Sequence, residues 1–274
     1  MSALSSNSAA TIGPDLDASF AAARETGMDQ DTFEGVVTSQ IENPREIHPD
    51  MGLRTMYEML QPEGIGRDSF IALGLSEGFR LKVLEKFTRT TYSIASRYKN
   101  LLEGKWFTDV NQLWSSDITY IHCLERFYYL VLIMDVYSRR IVGYCLADNM
   151  RAENNLKALE MALDLRGITH YQKQLIHHSD KGAQYVSDIY THTLENYGVE
   201  ISMCNEVYEN THIERVNDTI KNQYLKRMYI GNERQLRQKV DQVIQTYNHK
   251  RPHQSLSRFS PVAYESYIKT IPFE

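Results

Sequence analysis

A stretch near the middle of the chain reads WSSDITYIH at residues 114–122, and its polar and apolar side chains alternate. A mostly apolar run follows at residues 127–136, and it is too rich in β-branched and aromatic side chains to favour a helix. A turn at residues 137–140 leads to a third apolar segment at residues 141–147. The short connections predict three strands in an antiparallel meander.

Helices and strands alternate after this meander. The spacing of apolar residues predicts helices at 152–165, 186–197, 211–228 and 233–247, and strands at 174–178 and 199–203. The resulting order, β-β-β-α-β-α-β-α-α, is that of a ribonuclease-H-like α/β fold, in which helices flank a five-stranded mixed sheet.

The residues before the meander differ in character. Residues 1–44 show little periodicity and predict a flexible arm, with a short helix near residues 20–23; a docking helix for another subunit is the alternative. Short helices predicted at residues 51–60 and 67–75, with glycines between them, fit a helix-turn-helix-like module or a plain packing subdomain. The predicted organisation is an arm (1–44), a helical module (45–84), a linker (85–110) and a core with a C-terminal helical extension (111–270).

Composition excludes several classes of protein. No window holds the roughly 18 apolar residues that a membrane span needs. Residues 1–11 lack the basic and apolar regions of a signal peptide, so we expect a cytoplasmic protein. The 3 cysteines form no Cys-x-x-Cys pair, which argues against a structural zinc site and a disulfide framework.

The net charge of −5 argues at first against a nucleic-acid-binding protein. The charge is unevenly distributed, however: the balance is −6 over residues 1–44, +1 over 45–113, −6 over 114–214 and +6 over 215–274. The chain therefore combines an acidic centre with a basic flank, where a phosphate backbone could lie.

Three acidic residues are placed where such a sheet would expose them. Asp117 lies in the middle of the first strand, where a carboxylate is costly unless it is paired or binds a metal. Asp180 follows the fourth strand, and Glu214 lies in the first turns of a helix. The alternatives are a hydrogen-bonded core residue for Asp117, a turn-capping residue for Asp180, and Glu206 or Glu209 in place of Glu214.

Three neighbouring carboxylates would repel one another and raise one another's pKa. A divalent cation removes that repulsion, and oxygen ligands favour Mg²⁺ or Mn²⁺. Two such ions about 3.5–4 Å apart are suited to phosphoryl transfer. The sequence therefore predicts a site for two ions on Asp117, Asp180 and Glu214.

Three stretches together resemble a known family. WSSDITYI (114–121), HHSDKGAQY (177–185) and YNHKRPHQSL (247–256) are similar to the signature stretches of insertion-sequence transposases with a retroviral-integrase (DDE) catalytic core, specifically the second-frame protein of the IS-three family. Asp117 and Asp180 are 63 positions apart, and Asp180 and Glu214 are 34 apart, near the family's last interval. The chain departs from the family in having Glu209 before Asn210, no glycine at 204–208, and Lys181 instead of arginine.

The resemblance implies a mechanism and partners. Metal-activated water, and then a freed DNA 3′-hydroxyl, would attack phosphodiester bonds, with Asp117, Asp180 and Glu214 as catalytic metal ligands. The implied partners are insertion-sequence ends, target DNA, other copies of the chain on DNA, and an upstream-frame DNA-binding protein, all at the bacterial nucleoid. A nuclease that cuts without joining and a non-catalytic DNA-binding regulator are the alternatives.

Other polar residues are candidates for binding DNA. Spacings of 4, 3 and 4 positions separate Asn210, Glu214, Asn217 and Lys221, so these residues share one polar helix face. We predict DNA contacts for Asn210, Asn217, Lys221, Lys181, Arg251 and His253, with a solvated face or a local structural clasp as the alternative. Of the neighbours His177 and His178, one is expected in the core and one near the site, since adjacent strand residues face opposite ways.

Overall fold

The computed structural model describes residues 29–81, 98–170, 174–204 and 210–270. The chain divides into two compact units, Met1–Leu84 and Glu85–Glu274. None of the described helices is both long enough and apolar enough to cross a membrane.

The first unit contains three helices, α1 (Gln30–Ile47), α2 (Leu53–Leu60) and α3 (Arg67–Ser76). The side chain of Asp29 caps α1 by accepting a hydrogen bond from the backbone N–H of Thr32 at 2.9 Å. The unit has its own hydrophobic core, formed by Phe33, Val37, Ile41, Met51, Leu53, Met56, Ile65, Phe70 and Leu73.

The flexible arm predicted for residues 1–44 is therefore wrong over residues 30–44. Phe33, Val37 and Ile41 recur every four residues and form an apolar stripe on α1, which is buried against the other two helices. Composition does not reveal this stripe, because polar residues lie between its three apolar members. The short helix predicted near residues 20–23 lies outside the described residues.

The second unit contains a five-stranded mixed sheet, as predicted. Its strands are β1 (Leu113–Cys123), β2 (Arg126–Asp135), β3 (Ile141–Ala147), β4 (Ile176–Ser179) and β5 (Glu200–Met203), in the order β3-β2-β1-β4-β5. The meander β1–β2–β3 is antiparallel, whereas β4 is parallel to both β1 and β5. The mixed sheet follows because helices connect β3 to β4 and β4 to β5.

Helices cover both faces of this sheet. They are α4 (Ala152–Arg166), α5 (Asp188–Asn196), α6 (Thr211–Asp218), α7 (Glu233–Lys250) and α8 (Pro261–Ile268). Alternate residues of β2 point to opposite sides: Leu130, Leu132 and Met134 join a core with α6 and α7, while Val131 and Ile133 join a core with α4 and α5. The unit is thus a three-layer α/β/α structure.

One close approach in this layer depends on a glycine. A Cβ atom at Gly143 of β3 would lie 2.0 Å from the backbone oxygen of Ala158 in α4. No other residue type fits there, so Gly143 lets α4 pack directly on the backbone of the sheet.

The single helix predicted over residues 211–228 is wrong in its second half. The α-helix ends at Asp218, and the chain continues as a π-helical segment, Thr219–Tyr224, and a 3₁₀ turn, Leu225–Arg227. Ile213, Val216, Ile220 and Tyr224 are all buried. The apolar pattern could not reveal the change, because it records which residues face the core and not the width of the turn.

The C-terminal residues are fixed to the sheet by polar contacts. The side-chain amide of Asn248 accepts a hydrogen bond from the backbone N–H of Ile141 at 2.9 Å and donates one to its carbonyl at 2.8 Å. In α8, the buried Glu265 carboxylate pairs with Arg140 and Arg166, at 2.7 and 2.5 Å. These contacts hold α7 and α8 beside β3.

Candidate active site

The pairing of β1 with β4 brings two of the predicted acidic residues together. Ser115 is in register with His178 in this parallel pair. Two residues further along each chain are Asp117 and Asp180, and a step of two returns to the same face of the sheet. The register thus places Asp117 beside Asp180, where the fourth strand ends.

Two asparagines attach α6 to the first strand. Asn217 donates a hydrogen bond to the Asp117 carboxylate at 2.8 Å. Asn210, one turn before Glu214, donates to the carbonyl of Ser116 at 3.1 Å and also bonds the Ser115 hydroxyl. The helix that carries Glu214 is therefore fixed along β1, with the partly buried Glu214 between its two anchoring asparagines.

Electrostatics shows that the other two acids act on Asp117. Burial raises the pKa of Asp117 from 3.8 to about 7; the negative charge of Asp180 adds to the rise and that of Glu214 adds less. The hydrogen bond from Asn217 opposes the rise. Asp117 is thus the carboxyl that would gain most from a neighbouring positive charge.

The turn after β4 gives Asp180 a fixed position. Its carboxylate accepts a hydrogen bond from the backbone N–H of Gly182 at 2.9 Å. A Cβ atom at Gly182 would lie 2.9 Å from that same carboxylate oxygen, so a larger residue would displace it. Asp180 therefore has the turn-capping contact that was the alternative to a catalytic role, while it also faces Asp117.

The donor set has the chemistry of a divalent-cation site. All three side chains offer only oxygen, the ligand that Mg²⁺ and Mn²⁺ favour. Their mutual repulsion is the cost that a cation would remove. As the side chains stand in the described part of the chain, no three His, Cys, Asp or Glu residues are grouped closely enough to hold a metal ion.

The residues predicted to contact DNA differ in their burial and in their contacts. Asn210 and Asn217 are buried, 5% and 6% exposed, and bond β1. Lys181 lies on the turn after Asp180, and Lys221 lies in the π-helical segment; both are partly buried. Burial, followed by the positive charge of Lys226, lowers the pKa of Lys221.

The two residues from the third signature stretch lie apart from this turn. Arg251 donates a hydrogen bond to Gln223 at 2.8 Å, and its guanidinium lies 5.8 Å from the ring centre of Tyr224. His253 packs edge-on against Tyr247, with ring centres 4.9 Å apart, and its backbone N–H donates to Phe259 at 3.1 Å. Its contacts are those of a local structural clasp.

Both histidines are buried at 1% exposure, so both lie in the core, whereas the sequence predicted only one there. His177 bonds the Tyr190 hydroxyl at 2.9 Å. His178 contacts the Ser202 hydroxyl through Nδ1, at 2.9 Å, and the Cys204 thiol through Nε2, at 3.1 Å. The two rings do face opposite ways, as expected for adjacent strand residues.

Sequence reasoning missed the support beneath Asp117. The hydroxyl of Ser116 donates to the carbonyl of Leu132 at 3.0 Å and lies 2.8 Å from the buried hydroxyl of Tyr185. Both residues belong to quoted signature stretches, and a serine next to an acid in a buried strand was the available signal.

Comparison with known proteins agrees with this geometry. A family described as integrase core domain matches residues 108–207, and a second with the same description matches residues 197–261. A 31 kDa protein of insertion element IS600 from Shigella sonnei is 34% identical over 221 residues, covering 78% of this chain and 80% of the relative. The transposase for IS629 from the same species is 30% identical over 226 residues, covering 80% and 75%.

The chain belongs to the IS3 family of insertion-sequence transposases. Transposase InsF of IS3A from Escherichia coli strain K12 is 29% identical over 196 residues, which are 69% of this chain and 67% of InsF. The cryo-EM structure of the simian T-cell lymphotropic virus intasome has the same fold: the TM-score is 0.50 at 12% identity, over 81% of this chain and 77% of that one. The ribonuclease-H-like core of this IS3-family protein is thereby confirmed.

Proposed function

We propose that this IS3-family protein is a DNA transposase that cuts the ends of an insertion sequence and joins them to target DNA. The observation that carries the proposal is the β1–β4 register, which brings Asp117 to Asp180, together with the bond from Asn217 that fixes the helix of Glu214 beside them. Membership of the family supplies the reaction class, DNA cleavage and strand transfer.

In this proposal Asp117, Asp180 and Glu214 hold two divalent cations, Mg²⁺ or Mn²⁺. Bound cations would activate an attacking oxygen and offset the charge on the phosphate and the leaving oxygen. Asn217 orients the Asp117 carboxylate, and the turn at Gly182 orients that of Asp180. The protein's own contribution is to position the three carboxylates and to keep Asp117 where a cation favours its ionised form.

The catalytic assignment is tested by removing each charge in turn. We expect Asp117→Asn, Asp180→Asn and Glu214→Gln each to lower strand cleavage and joining by more than about 10³-fold, because several kcal/mol of transition-state stabilisation are lost. DNA binding should persist. The measurement uses labelled insertion-sequence-end DNA with a target plasmid and resolves cut ends from joined product.

Glu160→Gln is the matched control, since Glu160 is an exposed carboxylate on α4 and should be dispensable. Full activity of any one of the three variants would remove that residue from the site. Cut ends without joined product in the unsubstituted protein would instead indicate a nuclease.

Metal binding can be measured without catalysis. At a concentration 100 times its dissociation constant, Mg²⁺ or Mn²⁺ should stabilise the protein against unfolding by about 2.7 kcal/mol for a single site. Thermal melts with and without the cation would record this as a rise in Tm. The rise should be absent in Asp117→Asn; an equal rise in that variant would contradict metal binding by Asp117.

The proposal includes assembly of several copies on DNA and an activity at the bacterial nucleoid in the cytoplasm. Lys181, Lys221 and Arg251, which lie on exposed or partly buried surface, remain its candidate DNA contacts. It does not include the upstream-frame DNA-binding partner implied by the resemblance, because nothing in the described chain or its relatives supports one.

A further inference from the structure

A surface cleft of about 430 Å³ opens beside the proposed catalytic Glu214. It follows one side of α6 and continues along the π-helical segment. Its lining residues are Thr211, Glu214, Arg215, Asp218, Thr219 and Gln223. A cleft that contains a catalytic carboxylate is accessible to the substrate of that carboxylate.

Arg251 extends the wall of this cleft. Its guanidinium donates to the side-chain oxygen of Gln223 at 2.8 Å, and Gln223 itself lines the cleft. Arg251 follows α7 in the chain, so residues from two separate elements bring Arg215 and Arg251 to one opening.

Arg139 completes the group from the turn between β2 and β3. Burial raises the pKa of Tyr247, and the positive charges of Arg251 and Arg139 oppose that rise, so both guanidinium groups lie near this phenol. Arg215 in turn lies close enough to Arg139 for its charge to act on it. The backbone of Arg139 has φ +62°, a conformation that glycine adopts more readily.

Within the described part of the chain these three arginines lack ion-pair partners, although the charge of the buried Asp135 acts on Arg139. Among the described residues, no ion pair involves Arg139, Arg215 or Arg251, whereas Arg140, Arg166 and Arg237 are each paired with carboxylates. Asp218 is the one acid besides Glu214 that lines the cleft, and its carboxylate accepts a hydrogen bond from Asn222 at 2.6 Å. Arg215 lines the cleft and Arg251 bonds a lining residue, so two guanidinium groups without an ion-pair partner among the described residues lie at this opening.

We propose that this cleft binds the phosphate backbone of the DNA strand that enters the active site, with Arg215 and Arg251 as the phosphate ligands and Arg139 as a third positive charge near them. The proposal rests on the proposed transposase function and adds a subsite to it. A guanidinium fits phosphate oxygens with two parallel hydrogen bonds, and contacts of this kind position DNA without reading its sequence. The cleft thus fixes the strand relative to Glu214.

The test measures binding of the full chain to a short random-sequence duplex over a range of salt concentrations, both in EDTA and in Mg²⁺. Arg215→Gln and Arg251→Gln should each lower the slope of log affinity against log salt by about 1, with an affinity loss of about tenfold at low salt. Combining Arg139→Gln with either of these variants should lower the slope further. Arg215→Lys keeps the charge on an exposed position, so it should retain most of the slope.

Arg234→Gln is the matched control, because it removes one charge from the same basic segment at an exposed residue that does not line the cleft. Unchanged slopes for Arg215→Gln and Arg251→Gln, an equal loss for Arg234→Gln, or no DNA binding by the unsubstituted protein in either buffer would overturn the subsite. If the protein binds DNA through the cleft but neither cuts nor joins it, the proposed function fails while the subsite stands.

Discussion

His177 shows how a single buried residue couples stability to pH. It is 1% exposed, it bonds the Tyr190 hydroxyl at 2.9 Å, and burial, followed by the charge of His178, lowers its pKa from 6.5 to about 3. The folded pKa lies below the unfolded value, so the unfolded chain takes up the proton first as the pH falls. The stability contributed by neutral His177 is therefore complete above about pH 6.5 and is lost toward pH 3.

His177→Asn should make stability less sensitive to acid. The variant loses packing at pH 7, but between pH 7 and pH 4 its free energy of unfolding should fall by about 3 kcal/mol less than that of the unsubstituted protein. Urea denaturation at a series of pH values measures this. His192→Asn, at an exposed position, is the control, and parallel curves for His177→Asn and the unsubstituted protein would contradict the prediction.

At this scale the sequence indicated the candidate acids, but it did not indicate their hydrogen-bond partners. Position alone was enough to propose Asp117, Asp180 and Glu214, because a carboxylate in or beside a buried strand is costly unless it is paired or binds a metal. Asn217 was interpreted as a DNA contact because it shares a helix face with Glu214. That face lies against β1, and the tertiary contact that makes Asn217 a donor to Asp117 has no local signature.

Among the elements, β3 and α7 are joined through one side chain. The side-chain amide of Asn248, which is 6% exposed, forms hydrogen bonds with both the backbone N–H and the backbone C=O of Ile141. The backbone of a neighbouring strand would form the same two bonds. Each of these buried backbone groups would lose its partner if the amide were removed. The contact connects the YNHKRPHQSL stretch, whose first four residues are the last of α7, to the sheet.

Asn248→Ala should destabilise the fold by about 2–4 kcal/mol, because two buried polar groups are left without partners. Gln245→Ala, at an exposed site on the same helix, should change the free energy of unfolding by less than about 0.5 kcal/mol. Urea denaturation of both variants gives the comparison. Equal effects would show that the amide contributes nothing specific.

Helix boundaries were the least predictable elements. The helix at residues 30–44 was missed because only three apolar residues carry its stripe, and the change from α6 to a π-helical segment was missed because both turns bury the same residues. The strands were predicted nearly to their ends, since period-two alternation in β1 and an apolar run in β2 are local properties.

For the molecule as a whole, each unit has a separate core. The core of the first unit is formed by residues between Phe33 and Phe79, and the two cores of the second unit by residues between Tyr98 and Tyr247. Domains with their own cores can fold independently. The boundary between the two units falls after Leu84.

Residues 85–274, expressed alone, should therefore fold cooperatively. We expect a single urea transition with a midpoint close to that of the same unit in the full chain, because no core residue is removed. Near-UV circular dichroism would follow the transition, and the Asn248→Ala change in this fragment is a control that should lower the midpoint. A fragment without a cooperative transition would contradict the prediction.

The amide of Asn248 also affects how two copies of the chain can associate. β3 lies at one edge of the sheet, and an open edge is where a strand from another molecule can add. At Ile141 the backbone N–H and C=O are already bonded by a side chain of the same chain. A second copy would find no free backbone pair at the start of this edge, so pairing of strands between copies is disfavoured there.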